Sequence, residues 1–202
     1  MGCNMEKMIP SMEERRTVSQ RKEAWEGIKN KLPVMKTSEG KALREELFSV
    51  LHKQDADTIT MDEMLKGLID KLHMDEFTSR LKYVVRRSFG KVKKLLGDER
   101  NPDKASYREF CLIISYIYFR FQLRIMLDDL FPEGKEVFTF DDFQKAVPNL
   151  KEWGLRIGSA SRIFKDIDKK NKESITFDQI SSWGAGKKLA EEGDPDEFEH
   201  DQ

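Results

Sequence analysis

Cysteine and histidine are scarce in this sequence. The 202 residues include two cysteines, Cys3 and Cys111, and three histidines, His52, His73 and His200. Two cysteines cannot build a disulfide framework, and so few favour a reducing, intracellular compartment. The histidines have no metal-site spacing and stand near no Cys or Ser nucleophile. Because the sequence also has no Gly-rich phosphate loop and no pattern of paired catalytic carboxylates, it favours a protein that is not an enzyme.

Long apolar runs and a net charge are absent as well. No stretch approaches eighteen consecutive apolar residues and the N-terminus has no apolar signal region, so we expect neither a membrane-spanning helix nor secretion. The 36 basic and 37 acidic residues leave a net charge of −1, which creates no overall attraction to nucleic acid. The charges are nevertheless uneven, because residues 80–94 carry seven cations and no acid, while residues 191–201 carry seven acids and no Lys or Arg.

The cations of residues 80–94, called here the cationic run, allow two interpretations. As a functional patch they would contact a partner or anionic lipid, at about 1 kcal/mol for each cation near a membrane surface. Alternatively they are the solvated face of a helix whose other face carries Val84, Val85 and Phe89. The sequence leaves both open for the members of the run, which are Arg80, Lys82, Arg86, Arg87, Lys91, Lys93 and Lys94.

One short pattern occurs four times along the chain. Residues 58–64 read TITMDEM, 104–110 KASYREF, 137–143 VFTFDDF and 174–180 SITFDQI. In each copy a hydroxyl residue precedes by three places a side chain that accepts hydrogen bonds, which is the capping box that begins a helix. The pairs are Thr60 with Glu63, Ser106 with Glu109, Thr139 with Asp142, and Thr176 with Gln179.

A capping box at the end of a twelve-residue loop is typical of the EF-hand, in which two helices flank a calcium loop. Four copies constitute an internal repeat. The sequence therefore predicts an all-α fold of four EF-hand-like units in two pairs, with short β pairing between the loops. Counting back from the accepting residues gives loop 1 at residues 52–63, loop 2 at 98–109, loop 3 at 131–142 and loop 4 at 168–179.

The residues at the ligand positions of these loops do not suit calcium, which takes six to eight oxygen ligands. Lys135 in loop 3, and Lys170 and Lys172 in loop 4, place cations at such positions. The glycine that calcium loops have at their sixth position is absent from all four. We therefore predict that no loop holds calcium and that no other cofactor is bound. The few carboxylates that remain as weak metal candidates are Asp98, Glu109 and Asp168.

The chain organisation follows from this frame. We predict a flexible N-terminus over residues 1–17, an N-terminal pair with a preceding helix over 18–118, a C-terminal pair over 119–190 and a disordered acidic tail over 191–202. The segment from Tyr107 to about Arg124 is apolar on every side, so we expect it to be a buried helix that joins the two halves.

The first residues suggest a lipid anchor. Gly2 follows the initiator Met1 and Cys3 comes next, so myristoylation of Gly2 and palmitoylation of Cys3 are predicted. Two chains matter because one myristoyl group binds a bilayer only weakly. The usual motif has Ser or Thr where this chain has Glu6, and the alternative is an unmodified tail.

Several segments resemble one family, the flagellar calcium-binding proteins of trypanosomatids, or calflagins. They are RKEAWEGIKNKLP from Arg21, MDEFTSRL from Met74, SYIYFRFQL from Ser115, NLKEWGLRI from Asn149, TFDQISSWGAGKKL from Thr176 and GDPDEFE from Gly193. The resemblance implies paired EF-hands on an acylated protein attached to the flagellar membrane, with calcium binding in the C-terminal half. At the corresponding positions this chain departs from the family, with Phe131, Lys135, Lys170, Lys172 and Gln179.

Three functions are compatible with these features. The leading hypothesis is a calcium-independent EF-hand adaptor, attached by its acyl chains to the inner leaflet of the flagellar membrane and binding a protein partner but no nucleic acid. The second is a weak calcium sensor of the calflagin type. The third is a soluble structural component of the flagellum or cytoskeleton. Since lysines in the loops relieve the repulsion between acids without a metal, the first hypothesis predicts one constitutive conformation.

Overall fold

The computed structural model describes residues 18–52, 57–74, 78–132 and 134–197, excepting the side chains of 78–80. Eight α-helices, one 3₁₀ helix (Lys29–Lys31) and four short strands occur in this part of the chain. The helices are α1 (Val18–Ile28), α2 (Ser38–Leu51), α3 (Met61–Asp70), α4 (Thr78–Leu96), α5 (Tyr107–Leu130), α6 (Phe140–Glu152), α7 (Ala160–Ile167) and α8 (Phe177–Glu192). The strands are β1 (Thr58–Thr60), β2 (Lys104–Ser106), β3 (Val137–Thr139) and β4 (Ser174–Thr176).

Each of the four predicted capping boxes is formed. Thr60, Ser106, Thr139 and Thr176 are the N-caps of α3, α5, α6 and α8, and each hydroxyl accepts a hydrogen bond from the backbone N–H three residues on. The side chain at that later position accepts in return from the N-cap backbone N–H. The start of each exit helix is therefore fixed by contacts that the sequence pattern predicts.

The loops pair through two antiparallel ribbons, one in each half of the protein. Ile59 of β1 lies opposite Ala105 of β2, and Phe138 of β3 lies opposite Ile175 of β4. All four are buried, and they occupy the eighth position of their loops. The predicted all-α fold with two EF-hand-like pairs and short β pairing is confirmed.

Helix α5 runs through both halves. Its first part, Phe110 to Phe121, packs in a core with α1 to α4, while Leu123 and Leu127 belong to a second core with α6, α7 and the start of α8. By length and apolar composition α5 resembles a membrane-spanning helix, but 78% of its most apolar window is buried inside the protein, as in a core helix. The predicted boundary between residues 118 and 119 thus lies inside a continuous helix.

Helix α8 packs in the cores of both halves, which we did not predict. It packs along α5, and its later residues Ala185 and Leu189 lie in the core of the N-terminal half. Near its beginning, Asp178 accepts hydrogen bonds from Tyr83 and Arg87 of α4 and from the buried Arg120 of α5. The two EF-hand-like pairs therefore share helices and a polar contact.

The segment after α8 differs from the predicted disordered tail. Helix α8 continues to Glu192, and residues 193–197, called here the C-terminal segment, pack on α2 and α5. Asp196 accepts two hydrogen bonds from the fully buried Arg44, and Asp194 accepts one from Arg108 at 2.9 Å. These acids are ordered because they accept hydrogen bonds from arginines that lie more than eighty residues earlier in the sequence. Residues 198–202 lie outside the described residues.

Candidate functional site

In loop 2 a lysine pairs with the residue at the twelfth position. The Lys93 ammonium lies 2.7 Å from Oε1 of Glu109 and 3.9 Å from Oδ2 of Asp98. Both Lys93 and Glu109 are buried, and the other Glu109 oxygen accepts from the N–H of Ser106 at 2.8 Å. The structure thus brings the two metal candidates of this loop together, around an ammonium group.

The remaining surroundings of loop 2 are balanced in charge. Asp98 is half-exposed and lies 3.4 Å from Nε of Arg100, the third residue of the loop. An open cleft over the loop, of about 470 Å³, is lined by Lys93 and Lys104 as well as by Asp98 and Glu109. A dication would meet as many cations as carboxylates there, and repulsion between like charges opposes its binding.

Loop 3 is closed by an internal ion pair. Lys135, at the fifth position, places its ammonium 2.6 Å from Oδ2 of Asp142 at the twelfth. Burial alone would raise the pKa of Asp142, but hydrogen bonds from Lys135 and Thr139 and the Lys135 charge outweigh it and hold that pKa below its ordinary value. The first position is Phe131, whose ring packs edge-on against Phe138. Hence the carboxylate that would close on a metal is engaged by a residue of its own loop.

Loop 4 is closed by backbone and amide hydrogen bonds. The buried carboxylate of Asp168 accepts from the N–H of Lys172 at 3.0 Å and of Glu173 at 2.8 Å. Gln179 accepts from the N–H of Thr176 and donates through Nε2 to the carbonyl of Ile167 at 3.4 Å. Glu173 takes the positive φ, 57°, that a glycine usually supplies at the sixth position. The loop is therefore folded around a neutral amide at its twelfth position.

Loop 1 is described only at its two ends. His52 lies at its start, where Nδ1 is 2.6 Å from the carbonyl of Phe48 and the imidazole stacks on the Phe48 ring. At its end Glu63 caps α3 through Thr60. Residues 53–56 lie outside the described residues.

The donor sets of loops 2, 3 and 4 do not fit calcium. Calcium requires six to eight oxygens, with a bidentate carboxylate at the twelfth position. Here the twelfth position is a glutamate paired with Lys93 in loop 2, an aspartate paired with Lys135 in loop 3 and a neutral glutamine in loop 4. In the described ranges no group of three or more His, Cys, Asp or Glu side chains is arranged to hold a metal ion.

The cationic run does not form one continuous surface. Lys93 does not belong to an exposed patch, because it is buried against Glu109. Arg87 donates to Asp178 and to the Tyr83 hydroxyl. Lys82, Arg86 and Lys94 are exposed, and Lys91 is half-buried. The side chain of Arg80 lies outside the described residues, as do Gly2 and Cys3.

Two contacts of this site escaped the sequence analysis. Lys93 lies sixteen positions before Glu109, on a different helix, so no local pattern signals their pairing. The pairing of Lys135 with Asp142 had a signal, the cation at a ligand position, although the residue that it contacts was not identified. Cys111, the described cysteine, is buried, and burial raises its thiol pKa to about 12, which leaves it unreactive.

Comparison with known proteins extends over nearly the whole chain. Residues 28–117 match the family model of the FCaBP EF-hand domain. The flagellar calcium-binding protein of Trypanosoma cruzi is 34% identical over 175 residues, which cover 85% of this chain and 83% of that protein. The flagellar calcium-binding protein TB-1.7G of Trypanosoma brucei brucei is 37% identical over 191 residues, covering 92% and 82%.

A further relative, the flagellar calcium-binding protein TB-24 of Trypanosoma brucei brucei, is 37% identical over 187 residues, covering 90% of this chain and 84% of that protein. Identity at this level over most of both chains, together with four capped loops in two pairs, means that this chain belongs to the flagellar calcium-binding protein family.

Proposed function

We propose that this protein is a non-enzymatic, calcium-independent EF-hand adaptor of the flagellum, held at the inner face of the flagellar membrane by acyl chains on Gly2 and Cys3. The observation that carries calcium independence is the ion pair between Lys135 and Asp142, since an ammonium of the loop occupies the carboxylate that would close on the metal. Loops 2 and 4 support it through Lys93 and Gln179. Flagellar location is supported by the names of the relatives.

The adaptor role is supported by the internal contacts that close loops 2, 3 and 4 without a metal. In a calcium sensor, binding changes the angle between the two helices of a hand and opens an apolar groove. Internal contacts that replace the ion hold one arrangement at all calcium concentrations. Such a protein would bind its partner constitutively, and its acylation rather than calcium would decide where it acts.

Calorimetric titration with calcium, up to millimolar concentration, tests the proposal. The full chain should give no saturable heat. A designed positive control is a loop 4 variant with Lys170→Asp, Lys172→Asp, Glu173→Gly and Gln179→Glu, which together with Asp168 restores the oxygen donors and the glycine of a calcium loop. That variant should bind calcium, so the method is shown to detect a functional loop in this fold. Saturation of the unmodified chain in the micromolar range would refute calcium independence.

The anchor is tested separately. In cells that supply the acyl groups, Gly2→Ala should release the protein from the membrane fraction, and Cys3→Ser should weaken its attachment because a single myristoyl chain binds only marginally. Ser11→Ala, a change in the same N-terminal region that touches no acylation position, is the matched control. An unchanged distribution of the Gly2→Ala protein would favour the soluble structural component instead.

A weak calcium sensor is the competing function, and two observations favour it. The relatives are named calcium-binding proteins, and the half-exposed Asp98 lines the cleft over loop 2. If it is correct, millimolar calcium should shift the amide resonances of loops 2 and 4 alone. Shifts of that kind would leave the membrane anchor intact as a proposal while replacing the constitutive adaptor by a sensor.

A further inference from the structure

Four polar side chains meet where α4, α5 and the beginning of α8 come together. The Tyr83 hydroxyl donates to Oδ2 of Asp178 at 2.7 Å and accepts from Nε of Arg87 at 2.9 Å. Arg87 also donates to Oδ2 of Asp178 at 3.3 Å, and Arg120 donates to the other carboxylate oxygen, Oδ1. We call these four residues the Tyr83 cluster. The hydroxyl is one hydrogen bond away from one guanidinium and, through the carboxylate, two hydrogen bonds away from the other.

The Tyr83 cluster contains more positive than negative charge. Its two guanidiniums share one carboxylate, since within the described ranges the ion pairs of Arg87 and Arg120 are both with Asp178. Their guanidinium carbons lie 5.4 Å and 5.7 Å from the centre of the Tyr83 ring. Arg120 is buried, and its Nη1 has no hydrogen-bond partner in the described part of the chain, which costs stability. The cluster therefore has the capacity to bind a further anionic acceptor close to Tyr83.

Tyr83 is the most accessible of the four tyrosines in the sequence. It is 44% exposed, whereas Tyr107 and Tyr118 are half-buried and Tyr116 is buried. Tyr83 also lies in the second turn of α4, which begins at Thr78. The ends of a helix open at a lower free energy than its middle. An enzyme that modifies tyrosine is therefore expected to reach this hydroxyl in preference to the other three.

We propose that Tyr83 is a phosphorylation site, and that the phosphate, once attached, binds the two arginines in place of Asp178. The phosphoryl donor is a nucleoside triphosphate held by a protein kinase. The phenol oxygen forms a bond to the γ-phosphorus, the bond from that phosphorus to its bridging oxygen breaks, the phenol proton passes to a base of the kinase and the nucleoside diphosphate leaves. The product adds about 1.5 to 2 negative charges at pH 7 and three acceptor oxygens, which suits a cluster of two guanidiniums and one carboxylate.

Phosphorylation changes the contact between α4 and the beginning of α8. Burial alone would raise the pKa of Asp178, but hydrogen bonds from Tyr83 and Arg120 outweigh it and hold that pKa below its ordinary value, so the carboxylate is ionised at neutral pH. A phosphate ester cannot donate the hydrogen bond that the Tyr83 hydroxyl gives to Asp178, and the two anions repel each other. The arginines therefore turn to the phosphate, and α8 is released from α4. This inference rests neither on calcium independence nor on acylation.

The first test asks whether the folded chain accepts a phosphate at Tyr83. A recombinant tyrosine kinase domain is chosen because it phosphorylates a synthetic peptide of residues 78–90, and it is then incubated with the unacylated full chain, magnesium and ATP. Mass spectrometry should locate phosphate on Tyr83, and Tyr83→Phe should abolish its incorporation. Tyr118→Phe, which removes a half-buried hydroxyl of α5, is the matched control and should leave incorporation unchanged. The site would be overturned if the folded chain took no phosphate, or if Tyr83→Phe left incorporation unchanged.

The second test asks whether the arginines bind the phosphate. In a ³¹P NMR titration of the phosphorylated chain, the second pKa of the phosphate should lie below that of free phosphotyrosine in the same buffer, because adjacent guanidiniums favour the dianion. Arg87→Gln should raise this pKa toward the value of the free compound. Arg86→Gln removes the same charge from the preceding exposed position, outside the Tyr83 cluster, and should change the pKa much less. Equal changes in the two variants, or a pKa that is not lowered in the unmodified sequence, would overturn the proposed binding by the arginines.

The release of α8 has a readout of its own. Phosphorylation should shift the backbone amide resonances of residues 174–180, which form β4 and the first turn of α8. Asp178→Asn in the unphosphorylated chain removes the ion pairs with Arg87 and Arg120, so it should shift the same resonances. If phosphorylation left these resonances unchanged, Asp178 would have kept its contacts, and the proposed exchange of partners would be wrong.

Discussion

At the scale of single residues, the carboxylate of Asp142 shows how a loop is closed by its own lysine. Its folded pKa lies below the ordinary value of 3.8, so its contribution to stability is complete above that value and is lost as the pH falls through the lower, folded pKa. We expect Asp142→Asn to destabilise the protein at pH 7, by less as the pH falls below about 4. Urea unfolding across this range measures the difference, and a gap independent of pH would contradict the ion pair.

Glu173 carries a strain that glycine would relieve. Its φ of 57° is costly for a residue with a Cβ, while its N–H bond to Asp168 depends only on the backbone. Glu173→Gly should therefore stabilise the protein by about 0.5 kcal/mol, after the greater freedom of glycine in the unfolded chain is subtracted. Asp103 occupies the same position of loop 2 without a positive φ, so Asp103→Gly is the matched control.

The control Asp103→Gly should lower the free energy of unfolding by about 0.5 to 1 kcal/mol, because Asp103 has no positive φ for glycine to relieve. The two variants thus have opposite signs at equivalent loop positions, which thermal unfolding resolves. If both lose stability, the left-handed conformation of Glu173 costs less than this geometry indicates.

The residue-scale features were predictable where the contacts are local. Thr139 and Asp142 are three positions apart, so a helix cap between them follows from the sequence alone. The pairing of Glu109 with Lys93 was not predictable, because it joins the end of one helix to the first turn of the next across a loop. In place of this contact the sequence analysis grouped Lys93 with the other cations of residues 80–94, because that run contains seven cations and no acid.

At the scale of helices, the Lys93 and Glu109 pair fastens α4 to α5. Lys93→Met would leave the buried Glu109 carboxylate without its counter-ion, so we expect a loss of about 3 kcal/mol in the free energy of unfolding. Adding Glu109→Gln should recover most of this loss, because a glutamine already caps a helix at the same position of loop 4. Denaturant unfolding of the two single variants and the double variant measures the coupling.

Equal destabilisation in the double variant and in Lys93→Met would mean that Glu109 was not left unpaired by the first change. The experiment also bears on calcium. If the Lys93 ammonium is required for the stability of the loop without a metal, calcium cannot displace it from Glu109 without destabilising the protein.

The burial of helix α5 and the start of helix α8 were predicted, whereas the packing of α8 on the N-terminal half was not, for a physical reason. The run FCLIISYIYFRF is apolar on all sides, which indicates a helix buried from several directions. The sequence of α8 mixes three small residues, Gly184, Ala185 and Gly186, with charged ones and has no clear apolar face. Its close approach to α5 and α4 relies on those small residues, since a Cβ at Gly184 would meet Leu123 at 2.8 Å.

At the scale of the whole molecule, Arg44 of α2 binds the C-terminal segment to the N-terminal half of the protein. This guanidinium is fully buried and donates to the carbonyls of Pro33, Met35 and Pro195 as well as to Asp196. Removing the carboxylate in Asp196→Ala leaves the cation buried with carbonyls only, and we expect a loss of about 3 kcal/mol in the free energy of unfolding. Denaturant unfolding of the purified variant measures it.

Glu197→Ala is the control for this prediction. Glu197 and its partner Arg108 are both exposed, so its removal should change stability by less than about 0.5 kcal/mol. Similar losses in the free energy of unfolding for Asp196→Ala and Glu197→Ala would contradict the prediction. They would indicate that the buried contact of Arg44 with Asp196 stabilises the protein no more than the exposed contact of Arg108 with Glu197.

The acidic segment was misjudged from the sequence because composition says nothing about distant partners. Residues 191–201 contain seven acids and lack a helical repeat, which is typical of solvated tails. What orders residues 193–197 is a set of three partners, Arg44, Tyr107 and Arg108, that only the fold places at one surface. The paired loops, by contrast, were predictable because the capping box that ends each of them occurs four times in the sequence.

The fastening of the C-terminal segment to Arg44 has a practical consequence for imaging. A fluorescent dye attached at the exposed Glu197 would lie next to Asp196, whose partner Arg44 also donates to the carbonyl of Pro33 between α1 and α2. Such a dye would sense the surroundings of the N-terminal half of the protein. A reporter intended to follow loops 3 and 4 belongs elsewhere, on an exposed position of α6 such as Lys145.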